Sequence, residues 1–224
     1  MKKILFFSLI MIICRITSGQ IIDNFGLRIG SGVSNEKWEY TSEIESYLNG
    51  WKGNKGGFCV FLNVEKKLTD YLSIRPEIGY IQKGFNEHIV FTSFEETRTT
   101  SSEYKVTFHN AVGNIDIKIS PFDFIINPYF KAGIRGEYML DYKNVIIGQV
   151  VRYVPEGTIY DQFNKFTTGG IIGFGFEYKE LLYLELEYNP DITKCLDVPW
   201  LSAKNRYFGM TLGLNMNSLK KKSE

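Results

Sequence analysis

The feature that most restricts this chain is a strict alternation running through residues 166–217. Phe166, Thr168, Gly170, Ile172, Phe174, Phe176 and Tyr178 make one face, mostly large and apolar. Thr167, Gly169, Ile171, Gly173, Gly175, Glu177 and Lys179 make the other, small or charged. After Glu180 the pattern restarts with Leu182, Leu184, Leu186 and Tyr188 against Tyr183, Glu185, Glu187 and Asn189. It returns in Phe208, Met210, Leu212, Leu214 and Met216 against Tyr207, Gly209, Thr211, Gly213 and Asn215. Successive side chains of a strand point to opposite faces. A period of two held over about ten residues is therefore the pattern of strands that cross a membrane in a closed barrel.

The same reading applies upstream. It predicts strands over 24–33, 57–67, 71–85, 103–119 and 129–140, so that the chain has eight strands in all. Pro76 falls inside the third and predicts a bulge or local irregularity. In the fourth, Tyr104, Val106 and Phe108 are even while Ile115, Ile117 and Ile119 are odd, which predicts a β-bulge near 110–114. The connections alternate long and short, starting with the long stretch 34–55 and including 86–102, 141–165 and 189–203. Long external loops and short periplasmic turns alternate in this way in outer-membrane barrels. The expected fold is all-β, an eight-stranded antiparallel up-and-down transmembrane barrel with both termini on the periplasmic side.

A soluble lipocalin-like barrel alternates too, with its apolar face inward. Residue size decides between the two. Eight strands leave an interior just wide enough for side chains. Gly26, Gly30, Gly79, Gly133, Gly173, Gly175, Gly209 and Gly213 relieve that crowding when they face inward, whereas nearly every Phe, Leu, Ile and Tyr placed there would overfill it. Tyr80, Tyr138, Tyr178 and Tyr188, at strand ends, suit interfacial girdles.

The N-terminus carries Lys2 and Lys3, an apolar core over 4–14 and the small end Thr17-Ser18-Gly19. That is the layout of a secretory signal peptide, with cleavage expected after Gly19. The bulky Ile13 before Cys14 argues against lipidation. Residues 20–217 are then the barrel, and 218–224 a short basic periplasmic tail. Removing 1–19 takes away Lys2, Lys3 and Arg15 and no acid, leaving 23 of the 26 bases against 25 acids. So even a balance gives no electrostatic case for nucleic-acid binding. Cys59 and Cys195 lack metal-type spacing and do not form a disulfide framework.

Three stretches resemble a known family. Leu72-Ser73-Ile74-Arg75-Pro76-Glu77-Ile78-Gly79-Tyr80-Ile81-Gln82-Lys83-Gly84 is similar to the third strand of PorT-like outer-membrane β-barrel proteins. Asn127-Pro128-Tyr129-Phe130-Lys131-Ala132-Gly133 and Lys204-Asn205-Arg206-Tyr207-Phe208 are similar to other strand starts in it. The resemblance implies a small barrel of the OmpA/OmpX type in a Gram-negative outer membrane, without assigned chemistry, and for some members a link to protein secretion. The chain departs from the pattern at its end, where residues 217–224 follow Met216 in place of a terminal aromatic.

Candidate sites are few. The inward face should hold Arg28, Arg75, Lys83, Lys118, Lys131 and Arg135 with Glu65, Glu77, Asp116, Glu137, Glu177, Glu185 and Glu187. Six bases against seven acids in a narrow lumen can pair, and pairing is what charges removed from water require. The competing reading is a charged pore lining. Trp38, Tyr40, Tyr47, Trp51 and Trp200 fall in external connections and are candidate loop contacts for a protein or glycan partner. Only His88 and His109 are available for histidine catalysis, with Ser93, Ser101 and Asp141 as rim partners that no spacing singles out. Gly53, Gly56 and Gly57 precede no helix signal and make no phosphate loop. The expectation is a monomeric, non-enzymatic outer-membrane protein that meets lipid, with no cofactor, metal or nucleic acid. A secretion accessory, a small channel and a rim enzyme stand as alternatives.

Overall fold

The computed structural model describes residues 22–40, 51–92, 99–148, 159–199 and 201–216. The signal peptide, the basic tail and Tyr47 lie outside these residues, as do Ser93 and Trp200. Eight long strands run β1 (Asn24–Tyr40), β2 (Trp51–Lys67), β3 (Leu72–Thr92), β4 (Thr99–Ile119), β5 (Ile126–Gly148), β6 (Phe166–Tyr178), β7 (Leu182–Pro190) and, after the three-residue β8 (Leu196–Val198), β9 (Leu201–Asn215). Each long strand pairs antiparallel with its neighbours in sequence, and β1 pairs with β9 from Gly26 opposite Asn215 to Tyr40 opposite Leu201. The sheet is thereby closed into an up-and-down barrel with no edge in its wall, as a membrane demands of strands. β8 pairs only with the start of β9. No described helix is long and apolar enough to cross a membrane.

Three tight turns define the lower end. Leu68 and Thr69 donate to the Leu72 carbonyl, and Ser120 donates to that of Tyr71. Lys179 and Glu180 both have positive φ (51° and 56°), the conformation of a type I′ hairpin turn, closed by the Leu181 N–H to the Tyr178 carbonyl at 3.0 Å. The Lys67 ammonium meets the Glu180 carboxylate at 2.7 Å and ties this turn to β2.

The strands of the β3–β5 wall are longer than the alternation predicts. They run 21, 21 and 23 residues, where a tilted crossing needs roughly 9–11. What reads in sequence as polar connection is largely strand: the backbone ladder continues past the lipid, where the outer face no longer has to be apolar. Trp38 and Tyr40 are corrected on the same ground, since they belong to β1 and not to a connection.

The phase change expected within β4 is also corrected. Even residues from Tyr104 to Lys118 face inward throughout, so Tyr104, Val106 and Phe108 point in and Ile115, Ile117 and Ile119 point out. The backbone phase is constant, and it is the surroundings that invert. Low on the strand the outside is hydrocarbon and apolar groups face out. High on the strand the outside is water, and apolar groups face an interior cluster of Phe85, Val106, Phe108, Phe163, Leu196 and Leu201. A register shift does occur here, but on β5: His109 opposes Asp141 and Asn110 opposes Met139, which leaves Leu140 as the extra residue. Pro76 causes an irregularity without a bulge. The β2–β3 ladder passes from Asn63 opposite Glu77 to Lys66 opposite Ile74 in one register, with the rungs at Pro76 missing.

The inward glycines are places where a side chain has no room. The ring of Tyr129 occupies the space over Gly175, and that of Tyr183 the space over Gly213. At Gly30 the obstacle is the backbone of β9, the Met210 carbonyl and the Thr211 Cα, which cannot rotate away. Gly30→Val should therefore block closure of β1 on β9. In cold-loaded detergent gels the folded, faster band should be lost at Gly30→Val and kept at an exposed wall change such as Ile134→Val.

Candidate functional site

The alternation brings the thirteen charged side chains to one place. All are inward-facing and buried, and they stack in three tiers. In the lowest, the Lys118 ammonium lies 3.2 Å from Glu65 and 2.7 Å from Glu177. Ser73 donates to Glu65 at 2.7 Å and Asn215 to Glu177 at 2.7 Å.

The middle tier is the densest. Arg28 grips Glu77 with two parallel bonds, Nε at 3.1 Å and Nη2 at 2.6 Å, and its Nη1 reaches Glu187 at 2.8 Å and Glu185 at 3.4 Å. Arg75 Nη2 meets Glu185 at 2.6 Å, and Arg75 Nε lies 3.3 Å from Glu77. Lys131 sits 2.8 Å from both Glu185 and Glu187 and, like Arg75, 3.7 Å from Asp116. Three bases thus face four acids, with Tyr129 donating to Glu185 at 2.7 Å and Asn114 to Glu77 at 3.0 Å. The Arg28 guanidinium also lies 4.0 Å above the Phe61 ring. Planar cations suit this packing, because they bond in plane and stack on faces.

In the upper tier Lys83 and Arg135 share Glu137, at 2.5 and 2.6 Å. Arg135 Nη2 reaches Asp191 at 2.6 Å. Sequence reasoning missed Asp191, which follows Pro190 in what reads as a connection. It extends the inward series Tyr183, Glu185, Glu187, Asn189 by one more step of two and bridges to Gly169, and that continuing period was the available signal. Tyr129, an inward tyrosine with 0% exposure, was likewise missed.

An apolar cap lies above the tiers. The chain after β7 folds inward: the Cys195 N–H donates to the Ala203 carbonyl at 2.8 Å, and Asn164 donates to the Cys195 carbonyl at 2.8 Å. This seats Leu196 and Leu201 beside Phe85, Val106, Phe108 and Phe163. A 3-10 turn, Ile159–Gln162, flanks them and is held by Tyr142 donating to Asp161 at 2.6 Å. Trp38 and Tyr40 pack on the cap, Trp38 edge-on to Phe85 with centroids 5.6 Å apart. Two of the five candidate loop contacts are thus part of the seal. Trp51 is a residue of β2 paired with His88.

Of the two histidine candidates, His109 does not assemble with a serine, and the side chain of His88 lies outside the described residues. His109 is outward and pairs with the Tyr80 hydroxyl through Nδ1. Ser101 lies eight residues higher on the same strand, roughly 26 Å along a rise of about 3.3 Å per residue. Asp141 is His109's cross-strand neighbour, and its Oδ1 accepts from the Tyr142 N–H at 2.8 Å. Among the described residues no group of three His, Cys, Asp or Glu side chains is arranged to hold a metal ion.

A barrel closed by strands, apolar outside and charged within, is the architecture of a family. The sequence model described as outer membrane protein beta-barrel domain matches residues 19–197. The chain belongs to that family. Among solved structures it is similar to the N-terminal β-barrel domain of Pseudomonas aeruginosa OprF, at 10% identity over 87% of this chain and 99% of that one, with a TM-score of 0.37. It is similar to Ail, the attachment invasion locus protein of Yersinia pestis, at 7% identity over 86% and 100% of the two chains, with a TM-score of 0.35. Neisserial surface protein A is 12% identical over 84% and 96%, with a TM-score of 0.36. No curated protein matches the chain.

Two measurements check the interior of this outer-membrane barrel. Arg75→Ala leaves the buried Glu185 and Asp116 short of a cation and should cost about 3–5 kcal/mol, the usual effect of breaking a buried ion pair. Urea unfolding in lipid vesicles measures it. Cys195 lies in the cap, its thiol donating to the Ala203 carbonyl at 3.3 Å, and burial pushes its pKa up. It should resist maleimide in the folded barrel and react on unfolding, a difference read by mass.

Proposed function

We propose that this protein is a closed, non-enzymatic outer-membrane barrel whose external end recognises a protein or glycan partner. The observation that carries the reading is the filled interior: three tiers of paired charges under an apolar cap leave the lumen occupied by side chains. A pore lining would keep its charges solvated, with open width between them. Here Arg28 and Arg75 are 0% and 1% exposed, Arg28 hydrogen-bonding Glu77 and Glu187 and Arg75 lying against Glu185 and Glu77 as an ion pair. With no path through the barrel, the surfaces left for function are its outer wall and its two ends.

The external end is the one with the long connections, and the β3–β5 wall supports the assignment by rising about ten residues beyond what a crossing needs. In this reading residues 1–19 direct export and are removed, and the tail 218–224 stays in the periplasm. The barrel acts as a monomer solvated by outer-membrane lipid. His109, held by Tyr80 and far from Ser101, offers no support for a rim triad built on that residue. The secretion-accessory role that the PorT-like resemblance implies would place the partner on the short-turn side instead.

Two experiments test the proposal. The purified barrel in a planar bilayer should give no steady, ion-selective conductance; a large one would overturn the closed lumen. Capture of surface ligands by intact cells should fall at least tenfold when residues 41–50 or 149–158 are replaced by short Gly-Ser connections. Partners bound only from the periplasmic side would overturn surface recognition in favour of the accessory role.

A further inference from the structure

The outer wall has a flaw in its apolar coat. A furrow of about 880 Å³ crosses it over β1–β6, almost wholly apolar in lining. Sites that bury most of a small ligand have volumes of roughly 300–1,000 Å³. The pairing explains why it exists. One cross-strand row reads Leu62, Ile78, Gly113, Gly136, and the row above it Val60, Tyr80, Ala111, Tyr138, Phe166. Gly113 and Gly136 both lack a side chain at the centre of the lower row, and Ala111 is small in the upper one. Bare backbone therefore forms the floor, with Ile78 on one side and Tyr138 and Phe166 above it.

These glycines differ from the inward ones. A Cβ on Gly30 or Gly175 would strike backbone or a ring. A Cβ on Gly113 would meet nothing within 4 Å, and one on Gly136 only the edge of Phe166 at 3.5 Å. Neither has a left-handed backbone. Packing and conformation alike leave room for a side chain at both positions, and the barrel's own structure gives no reason for their being glycine. What the missing side chains create is the furrow.

We infer that this furrow is a binding site for a fatty acyl chain of an outer-leaflet lipid. The inference rests on the chain's spanning the outer membrane, and not on the recognition of a surface partner. Several observations select this occupant. The furrow lies in the lipid-facing band, among Ile78, Ile115 and Ile134, which are 50–65% exposed. Its upper edge carries Tyr80 and Tyr138, amphipathic rings of the kind that sit at headgroup level, so a chain can enter there from its own headgroup. The Tyr80 hydroxyl is already engaged by His109, so the phenol is held at the mouth. A protein helix in this place would need small residues facing small residues over several turns, and here the flanks are bulky. Hydrocarbon against hydrocarbon has no hydrophobic driving force; the selectivity comes from van der Waals contact with a preformed surface that would otherwise lack partner atoms.

The test fills the furrow. Gly113→Leu and Gly136→Leu, singly and together, should fold, as checked by heat-modifiable mobility. Gly170→Leu is the control: Gly170 lies on the same wall with open space around it and does not line the furrow. Native mass spectrometry of detergent-washed full-length barrel counts retained lipid. Wild type and Gly170→Leu should keep one lipid, and the double variant should retain at least tenfold less. The retained mass identifies lipid A or phospholipid as the source of the chain. Equal retention in all three, or a bound polypeptide in place of lipid, overturns the inference. A second measurement needs no variant: the wild-type barrel in vesicles doped with a diazirine-bearing acyl phospholipid. Photolabelling concentrated at Ile78, Tyr138 and Phe166 supports the site, and labelling spread evenly around the wall overturns it.

Discussion

The pairing of Arg28 and Arg75 with Glu77, Glu185 and Glu187 is the interaction on which the rest of the barrel depends. These five groups come from β1, β3 and β7, and they meet at the centre of a lumen from which bulk water is displaced. An unpaired charge in such a place costs several kcal/mol even after relaxation. The arrangement spreads that cost. Each guanidinium contacts more than one carboxylate, and Tyr129, Asn114 and Thr211 supply further hydrogen bonds. Glycines on the same face make it fit, since the rings of Tyr129 and Tyr183 occupy the space over Gly175 and Gly213. The tiers hold only if the strands are in register, because a slip of one residue would turn the whole set of charges towards lipid.

A second constraint acts along the barrel axis. Its exterior is hydrocarbon over part of its height and water above that. The wall answers by exchanging the polarity of its two faces while its backbone alternation continues. Ile81, Phe85, Val106 and Phe108 point inward high on β3 and β4, and Ile74, Ile78, Ile115 and Ile117 point outward lower down. Of the inward set, Phe85, Val106 and Phe108 bury against Phe163 and the segment carrying Cys195 and Leu196, and Ile81 against Cys59, Phe61, Val112 and Tyr207. The cap and the length of the strands are thus one adaptation: strands that outrun the lipid need a core of their own.

A lumen filled in this way is the ground of the proposal that function lies on the outside of the molecule. The ionic tiers and the cap both fill the lumen, the first with ion pairs and the second with apolar side chains. The features left for interaction are the protruding β3–β5 wall, the connections above it, and the furrow at Gly113 and Gly136. They face different surroundings, water in one case and hydrocarbon in the other, so the two proposals call for ligands of different chemistry.

The sequence by itself determined the strands, their antiparallel order and the face each residue takes. Period two is a local property of the backbone, and it survives whatever surrounds the strand. For that reason parity groups the thirteen charges on one face, and residue size is what points that face inward. The sign balance was legible only in part, since the buried Asp191 adds an eighth acid to the seven read from sequence. Only the tertiary structure decided which charges touch, because partners such as Arg28 and Glu187 are 159 residues apart and meet through the curvature of the closed sheet. It also decided where the lipid stops. Apolar residues look alike whether they face hydrocarbon or a dry core, so Tyr104, Val106 and Phe108 gave the right period and the wrong surroundings. Trp38 and Tyr40 read as loop anchors for the same reason. The furrow was hidden because it is made by neighbours across strands, and a linear pattern has no term for what lies beside it.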